Sequence, residues 1–167
     1  MLFRSLASET SPLSIVELSA LGQALRPGQR LLGLDLGEKT IGLALSDTSL
    51  TVATPFKTLK RGKFKANATE LAALIADHDV GGLIIGLPLN MDGSDGPSAQ
   101  SARAFGRNFA EVHAAPLTFI DERLSTAAVT RTLIEADTSR ARRSEVVDKM
   151  AAAYILQGAL DRLRATR

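Results

Sequence analysis

Three acidic positions, far apart in the chain, have the chemistry to act together. Asp35 lies in Leu32-Gly33-Leu34-Asp35-Leu36-Gly37, a stretch that is otherwise apolar or glycine. A carboxylate buried there is costly unless a cation or several hydrogen-bond donors satisfy it. Because it stands two residues before Gly37, the same side chain also suits a turn cap, so Asp35 reads either as a metal ligand or as a cap. Asp121-Glu122-Arg123 follows an apolar run at 117–120, at the edge where open α/β sheets bind ligands. Successive strand residues point to opposite faces, so only one of the two acids faces the same cleft as Asp35. Glu122 is the favoured one, with Asp121 as its structural partner; alternatively both are acids favoured near the start of a helix capped by Ser125. Asp148 precedes Met150-Ala151-Ala152-Ala153, and small residues three and four positions on let a helix sit close to a sheet and bring the carboxylate to it. An exposed first-turn acid is the other reading of Asp148. Hard divalent cations take oxygen ligands, and phosphodiester hydrolysis with Mg²⁺ or Mn²⁺ needs carboxylates converging from several elements.

The elements that must bring these acids together follow from the apolar pattern. Residues 11–25 begin with Ser-Pro, carry a stripe at Ile15, Leu18, Leu21 and Leu25, and stop at Pro27-Gly28, which predicts a short amphipathic helix. Runs at 31–36 and 40–45, separated by Gly37-Glu38-Lys39, predict a β-hairpin, and 51–59 a third strand. Lys57, Lys60, Arg61, Lys63 and Lys65 make a basic loop. A helix then begins near Phe64, with Phe64, Ala68, Leu71, Ala72 and Ile75 on one face. Residues 81–87 form a strand apolar on both faces, followed by the loop Pro88-Leu89-Asn90-Met91-Asp92-Gly93. Pro97 suits the first turn of a helix with Ala102, Phe105, Gly106 and Phe109 inward, and 117–120 is a further strand. Two helices complete the chain, at 125–136 and 144–163, the second with Val147, Met150, Ala151, Tyr154, Ile155 and Gly158 as its inner face. This order implies a mixed sheet with helices against it. His78 and His113 fall near helix ends, where a cation suits the dipole, and neither is assigned a catalytic role.

The chain has 167 residues, 45% hydrophobic and 23% charged, the composition of one folded domain. The absence of cysteine excludes disulfides, zinc-thiolate sites and thiol nucleophiles. No apolar run is long enough to span a bilayer, and no secretory signal is legible, so a cytoplasmic location is expected. A formal charge of +2 is too small to argue for nucleic acid by itself. Two basic clusters, 57–65 and Arg140, Arg142 and Arg143, flank the acids in sequence and either track a phosphate backbone or are solvated loops.

The strings Ile41-Gly42-Leu43-Ala44-Leu45-Ser46-Asp47, Ile85-Gly86-Leu87-Pro88-Leu89-Asn90-Met91-Asp92-Gly93, Asp121-Glu122-Arg123-Leu124-Ser125-Thr126 and Val147-Asp148-Lys149-Met150-Ala151-Ala152, in this order with the Asp35 stretch, resemble the YqgF/RuvX family. Its members are pre-16S rRNA nucleases, also described as Holliday-junction-resolvase-like. The resemblance covers roughly 30–163, leaving 1–29 as an N-terminal extension and 30–167 as the nuclease domain. It implies an α/β, ribonuclease H-like fold, with a five-stranded mixed sheet of three antiparallel then two parallel strands and helices on both faces. It implies metal-dependent endonucleolytic cleavage near the 5′ end of mature 16S rRNA; branched-DNA resolution and a non-catalytic ribosome-maturation factor are the alternatives. Asp35, Glu122 and Asp148 carry over as catalytic, and these with Asp121 as ligands of Mg²⁺ or Mn²⁺, with Asp35 bridging two metals, Glu122 holding one and Asp148 the other. Resolvases of the superfamily place a carboxylate at the end of the fourth strand, where this chain has Gly86-Leu87-Pro88, so Glu122 has to replace it. Lys39, Asn90, Asp92, Arg123, Arg142 and Arg143 are candidate substrate contacts, although Asn90 and Asp92 are equally turn formers and Arg123 equally a structural partner of Asp121. Expected partners are precursor 16S rRNA or branched DNA and the small ribosomal subunit, with no membrane; a homodimer suits a symmetric junction. The Asp-Leu-Gly turn also resembles the phosphate loop of actin-like ATPases, but 167 residues leave no room for their second half-domain.

Overall fold

The computed structural model describes residues 14–124 and 140–166, with backbone alone at 124 and 140–146. In chain order the elements are α1 (Leu18–Ala24), β1 (Arg30–Leu36), β2 (Thr40–Ser46), β3 (Ala53–Lys60), α2 (Phe64–Asp77), β4 (Val80–Leu87), α3 (Pro97–Val112), β5 (Leu117–Asp121), a 3-10 turn (Glu122–Leu124) and α4 (Arg140–Ala165). The expected helix at 125–136 lies outside the described residues.

The sheet has five strands in the order β3-β2-β1-β4-β5. β1, β2 and β3 pair antiparallel, and β4 and β5 join in parallel, so the mixed sheet is the expected one. Period-two alternation along β1 divides the core. Leu32, Leu34 and Leu36 point into a layer with Ala68, Leu71 and Ile75 of α2 and Ala102, Phe105 and Phe109 of α3. Leu31 points the other way, into a layer with α1 and α4. Asp35 therefore shares the α4 face with Leu31 and Gly33.

Local differences from the sequence reading have physical causes. Ile15 bridges to Leu117 and the Val16 N–H donates to the Leu117 carbonyl at 2.9 Å, so 15–16 extend the sheet and the helix starts only at Leu18. β3 begins at Ala53 because Asp47 gathers the preceding turn, accepting from the amides of Thr51 and Val52 at 2.7 and 3.1 Å. These bonds and the Ser49 hydroxyl hold the Asp47 carboxyl down at about 2. Pro55, which has no N–H to give the ladder, sits on the edge strand at a register shift opposite Leu43 and Ala44. On α4 the buried face is turned away from Tyr154, which is 37% exposed, toward Ala152, Leu156, Ala159 and Leu160.

That face is what lets α4 lie on the sheet. A Cβ on Gly33 would stand 2.9 Å from the Leu156 Cβ and 3.0 Å from the Ala152 carbonyl. At Gly42 it would run into the backbone carbonyl of Asp148. Gly42→Ala is therefore expected to cost ~1–3 kcal/mol by overpacking. Gly62→Ala, at a position with open space around it, should stay within about 0.5 kcal/mol. Urea denaturation of the two variants measures the difference, and equal costs would contradict the close approach of α4.

Candidate active site

Asp35 pairs with Gly42 across the β1–β2 ladder. On its other side Leu34 pairs with Ile85, so the next step along the parallel strands sets Asp35 beside Gly86. The central carboxylate is thus flanked on both neighbouring strands by residues without side chains. On the Gly42 side the backbone of Asp148 descends into the space. On the Gly86 side, a Cβ would lie 3.6 Å from Glu122 Oε2 and in contact with Ile155 of α4. Asp35 and Glu122 therefore border one strip of the sheet, Gly42-Asp35-Gly86, on the face covered by α4, and the backbone of Asp148 meets the same strip at Gly42 while its carboxylate lies beside it at Gly37 and Thr40.

Two of the three are deeply placed, Asp35 at 4% and Glu122 at 3% exposure, while Asp148 is half-buried. Asp148 Oδ2 accepts from the Thr40 hydroxyl and lies 2.8 Å from where a Cβ on Gly37 would be. Glu122, one residue past β5 where Ile120 pairs with Gly86, reaches back over β4. Its carboxylate occupies space above the fourth strand that Gly86 itself cannot fill.

Asp121 goes elsewhere. It pairs with Leu87 and alternates with Ile120, so it faces away from α4. Its carboxylate meets the Arg123 guanidinium at 2.7 Å, which holds the Asp121 carboxyl below its ordinary range. The same guanidinium donates to the carbonyls of Met91 and Asn90 at 2.9 and 3.3 Å. Arg123 is thus engaged with the chain itself, tying the β4–α3 loop to the end of β5. Within that loop Asn90 and Asp92 act on the backbone: the Ser94 amide donates to Asp92 at 2.9 Å, and the Asn90 amide to the Ser94 carbonyl at 2.9 Å. Gly93 supplies the positive φ of +89° that closes the turn. The loop presents Met91 to solvent, 95% exposed.

Among the basic candidates, Lys39 is exposed on the β1–β2 turn, and Lys57, Lys60, Lys63 and Lys65 are exposed around β3 and α2. Arg142 and Arg143 lie on the first turns of α4, with side chains outside the described residues. Arg61 is half-buried and turned inward, and burial lowers its pKa from the ordinary guanidinium value. Two residues that the sequence did not mark matter here. Thr40 touches Asp148, and buried Asn67 pins the basic loop by accepting from the Gly62 amide at 3.0 Å and donating to the Lys60 carbonyl at 3.1 Å. A cavity of about 620 Å³ at the opposite end of β1 has no carboxylate or imidazole in its wall, so it offers no comparable chemistry.

Oxygen-only donors on a side-chain-free strip suit a hard cation such as Mg²⁺ or Mn²⁺. Among the described residues no three His, Asp or Glu side chains form a ready-made metal cage. A cation here would complete its shell with water and substrate phosphate, as Mg²⁺ commonly does.

The RuvX family, described as a Holliday junction resolvase, matches residues 29–162. The chain belongs to that family. It is 59% identical over 149 residues to "Putative pre-16S rRNA nuclease" of Paramagnetospirillum magneticum, covering 89% of this chain and 96% of that protein. It is equally 59% identical over 150 residues to the protein of that name from Methylocella silvestris, covering 90% and 93%. Among solved structures, T. thermophilus RuvC in complex with a Holliday junction substrate aligns with a TM-score of 0.51 at 12% identity, over 81% of this chain and 96% of that one. The fold is accordingly the ribonuclease H-like one that the family resemblance implies.

His78, at the C-terminal end of α2 with its Nδ1 3.1 Å from the Leu74 carbonyl, fits the helix-dipole reading, whereas His113 corrects it. His113 stacks on Phe109 and its Nδ1 accepts from the Ala115 amide at 3.0 Å, which requires an unprotonated nitrogen. Burial lowers its pKa from the ordinary 6.5. The unfolded chain then takes up a proton before the folded one, so stability is full above about pH 6.5 and declines as pH falls toward the folded value. The melting temperature should drop between pH 7.5 and 5.5, and part of that drop should vanish in His113→Gln; an unchanged drop would show His113 to be uninvolved.

Proposed function

We propose that this chain is a metal-dependent endoribonuclease in 5′-end maturation of precursor 16S rRNA, working in the cytoplasm on RNA still attached to the small ribosomal subunit. The observation that carries the reading is the strip beneath α4 bordered by buried Asp35 and Glu122, with Asp148 seated beside it at Gly37 and Thr40. The names of its close relatives direct the reading to RNA. The family's description as a resolvase supports branched DNA as the second substrate, for which a homodimer would supply two-fold symmetry.

Bound Mg²⁺ or Mn²⁺ ions supply Lewis acidity and charge neutralisation at a phosphodiester. Asp35, Glu122 and Asp148 are the residues that would hold them. Asp35, central on the strip, would hold them together with Glu122 from the β5 side and Asp148 from the α4 side. The chain contributes further by excluding bulk water from this pocket, since Asp35 and Glu122 are nearly fully covered and electrostatic attraction is stronger there than in water. Exposed Lys39, Lys57, Lys60, Lys63 and Lys65, together with Arg142 and Arg143, are the candidate phosphate contacts of the flanking backbone. Asp121, Arg123, Asn90 and Asp92 shape the loop beside the site, so their effect on substrate is through that loop.

The test is cleavage of a precursor 16S rRNA 5′ fragment and of a four-way junction, with Mn²⁺ or with chelator. Asp35→Asn, Glu122→Gln and Asp148→Asn should each lose at least about 100-fold in rate, the scale of several kcal/mol of lost charge stabilisation. Asp121→Asn should lose less, because its partner is Arg123. Faster cleavage of the junction would favour the resolvase reading. Tight RNA binding without metal-dependent cleavage would make the protein a maturation factor instead.

A further inference from the structure

We propose that Arg61 is a positioning residue for the Asp148 carboxylate, acting through the β1–β2 turn; the inference rests on the metal-dependent reading of the site given above. Arg61 is the one cation of the basic loop that turns inward, whereas Lys57, Lys60, Lys63 and Lys65 are exposed. It is the first residue beyond the edge strand β3, and it grips the turn between β1 and β2 at two points. Its backbone N–H donates to the Lys39 carbonyl at 2.9 Å. Its Nη1 donates to the Gly37 carbonyl at 2.8 Å. On the far side Nη2 donates to the Ser101 hydroxyl of α3 at 2.8 Å, and the guanidinium carbon stands 6.0 Å from the centre of the Phe105 ring. The planar fork thus fastens the turn to a helix on the opposite face of the sheet from α4.

That turn is the surface against which Asp148 rests. The Gly37 amide donates to the Thr40 carbonyl at 2.8 Å, and the Thr40 hydroxyl donates to Asp148 Oδ2. Gly37 also leaves open the place, 2.8 Å from Oδ2, that a side chain would take. A glycine turn of this kind is intrinsically adaptable, so the seat of Asp148 is only as defined as the braces on the turn. Desolvating a guanidinium is costly, and a lysine in its place could offer only a point charge on a flexible stem, not a rigid fork spanning Gly37 and Ser101. Partners that orient a ligand are typically worth 10–100-fold in metal affinity or activity.

The test is Mn²⁺ binding to the full chain without RNA, read by electron paramagnetic resonance, beside the KM for the RNA fragment and the melting temperature. Arg61→Met should raise the Mn²⁺ dissociation constant by about 10-fold or more, with the KM for RNA within about twofold. Arg61→Lys and Ser101→Ala should give intermediate losses and carry the test if Arg61→Met does not fold. Unchanged Mn²⁺ affinity with a raised KM would make Arg61 a phosphate contact and overturn the proposal. Unchanged affinity with only a lower melting temperature would make it purely structural and overturn it equally. Asp148→Asn separates the two levels: if it binds Mn²⁺ as the wild type does, the reading of the site itself falls. If it loses binding and the Arg61 variants do not, only the positioning role falls.

Discussion

Helix α4 touches the sheet through backbone as well as side chains, and that contact brings Asp148 to the strands that carry Asp35 and lead to Glu122. Gly33 admits Leu156 and the Ala152 carbonyl, Gly42 admits the backbone of Asp148, and Gly86 admits Ile155. On the helix side Ala151, Ala152 and Ala159 alternate with Ile155 and Leu156, whose side chains fill the places the sheet glycines leave open. A helix held off by ordinary side chains would carry Asp148 away from β1. The apolar layer that presses α4 down, including Leu21, Ile84, Ile155 and Leu160, is therefore also what sets the spacing of the acids.

Burying Asp35 and Glu122 on one strip with Asp148 beside them works against the fold, because like charges repel most strongly where water is excluded. Two features accommodate this. Hydroxyl donation from Thr40 satisfies part of Asp148, and under the proposed function a bound divalent cation would offset the repulsion. The neighbouring acids are kept out of the strip. Asp121 is turned to the other face and neutralised by Arg123, Asp92 is spent on Ser94, and Asp95 meets Arg103 at 2.6 Å. Their ion pairs and turn bonds stiffen the loop beside the strip without adding negative charge to it.

The five strands were legible because apolar runs bounded by turn residues are local signals, whereas their antiparallel and parallel arrangement came from the family resemblance. Period two separates the two neighbouring acids only once the structure shows that Ile120 faces α4, which turns Asp121 away and returns Glu122 to the α4 face. The start of α1 was not legible, since Ile15 and Val16 read as helix stripe until β5 is there to pair with them. The inner face of α4 was misread at Tyr154, a residue whose size suggested burial although the bare glycine strip accepts only alanine and aliphatic residues at the contact. The contacts of Thr40 and Arg61 were not legible because nothing near them in the chain reveals what they touch; Thr40 meets a residue 108 positions away. Arg61 read as one member of a basic cluster that either tracks a phosphate backbone or is solvated.

The most direct test of the convergent strip is anomalous scattering from crystals of the protein soaked in Mn²⁺. Density is expected touching Asp35 together with Glu122 or Asp148, beneath α4. Mn²⁺ bound only elsewhere, or held by Asp121 without Asp35, would contradict it.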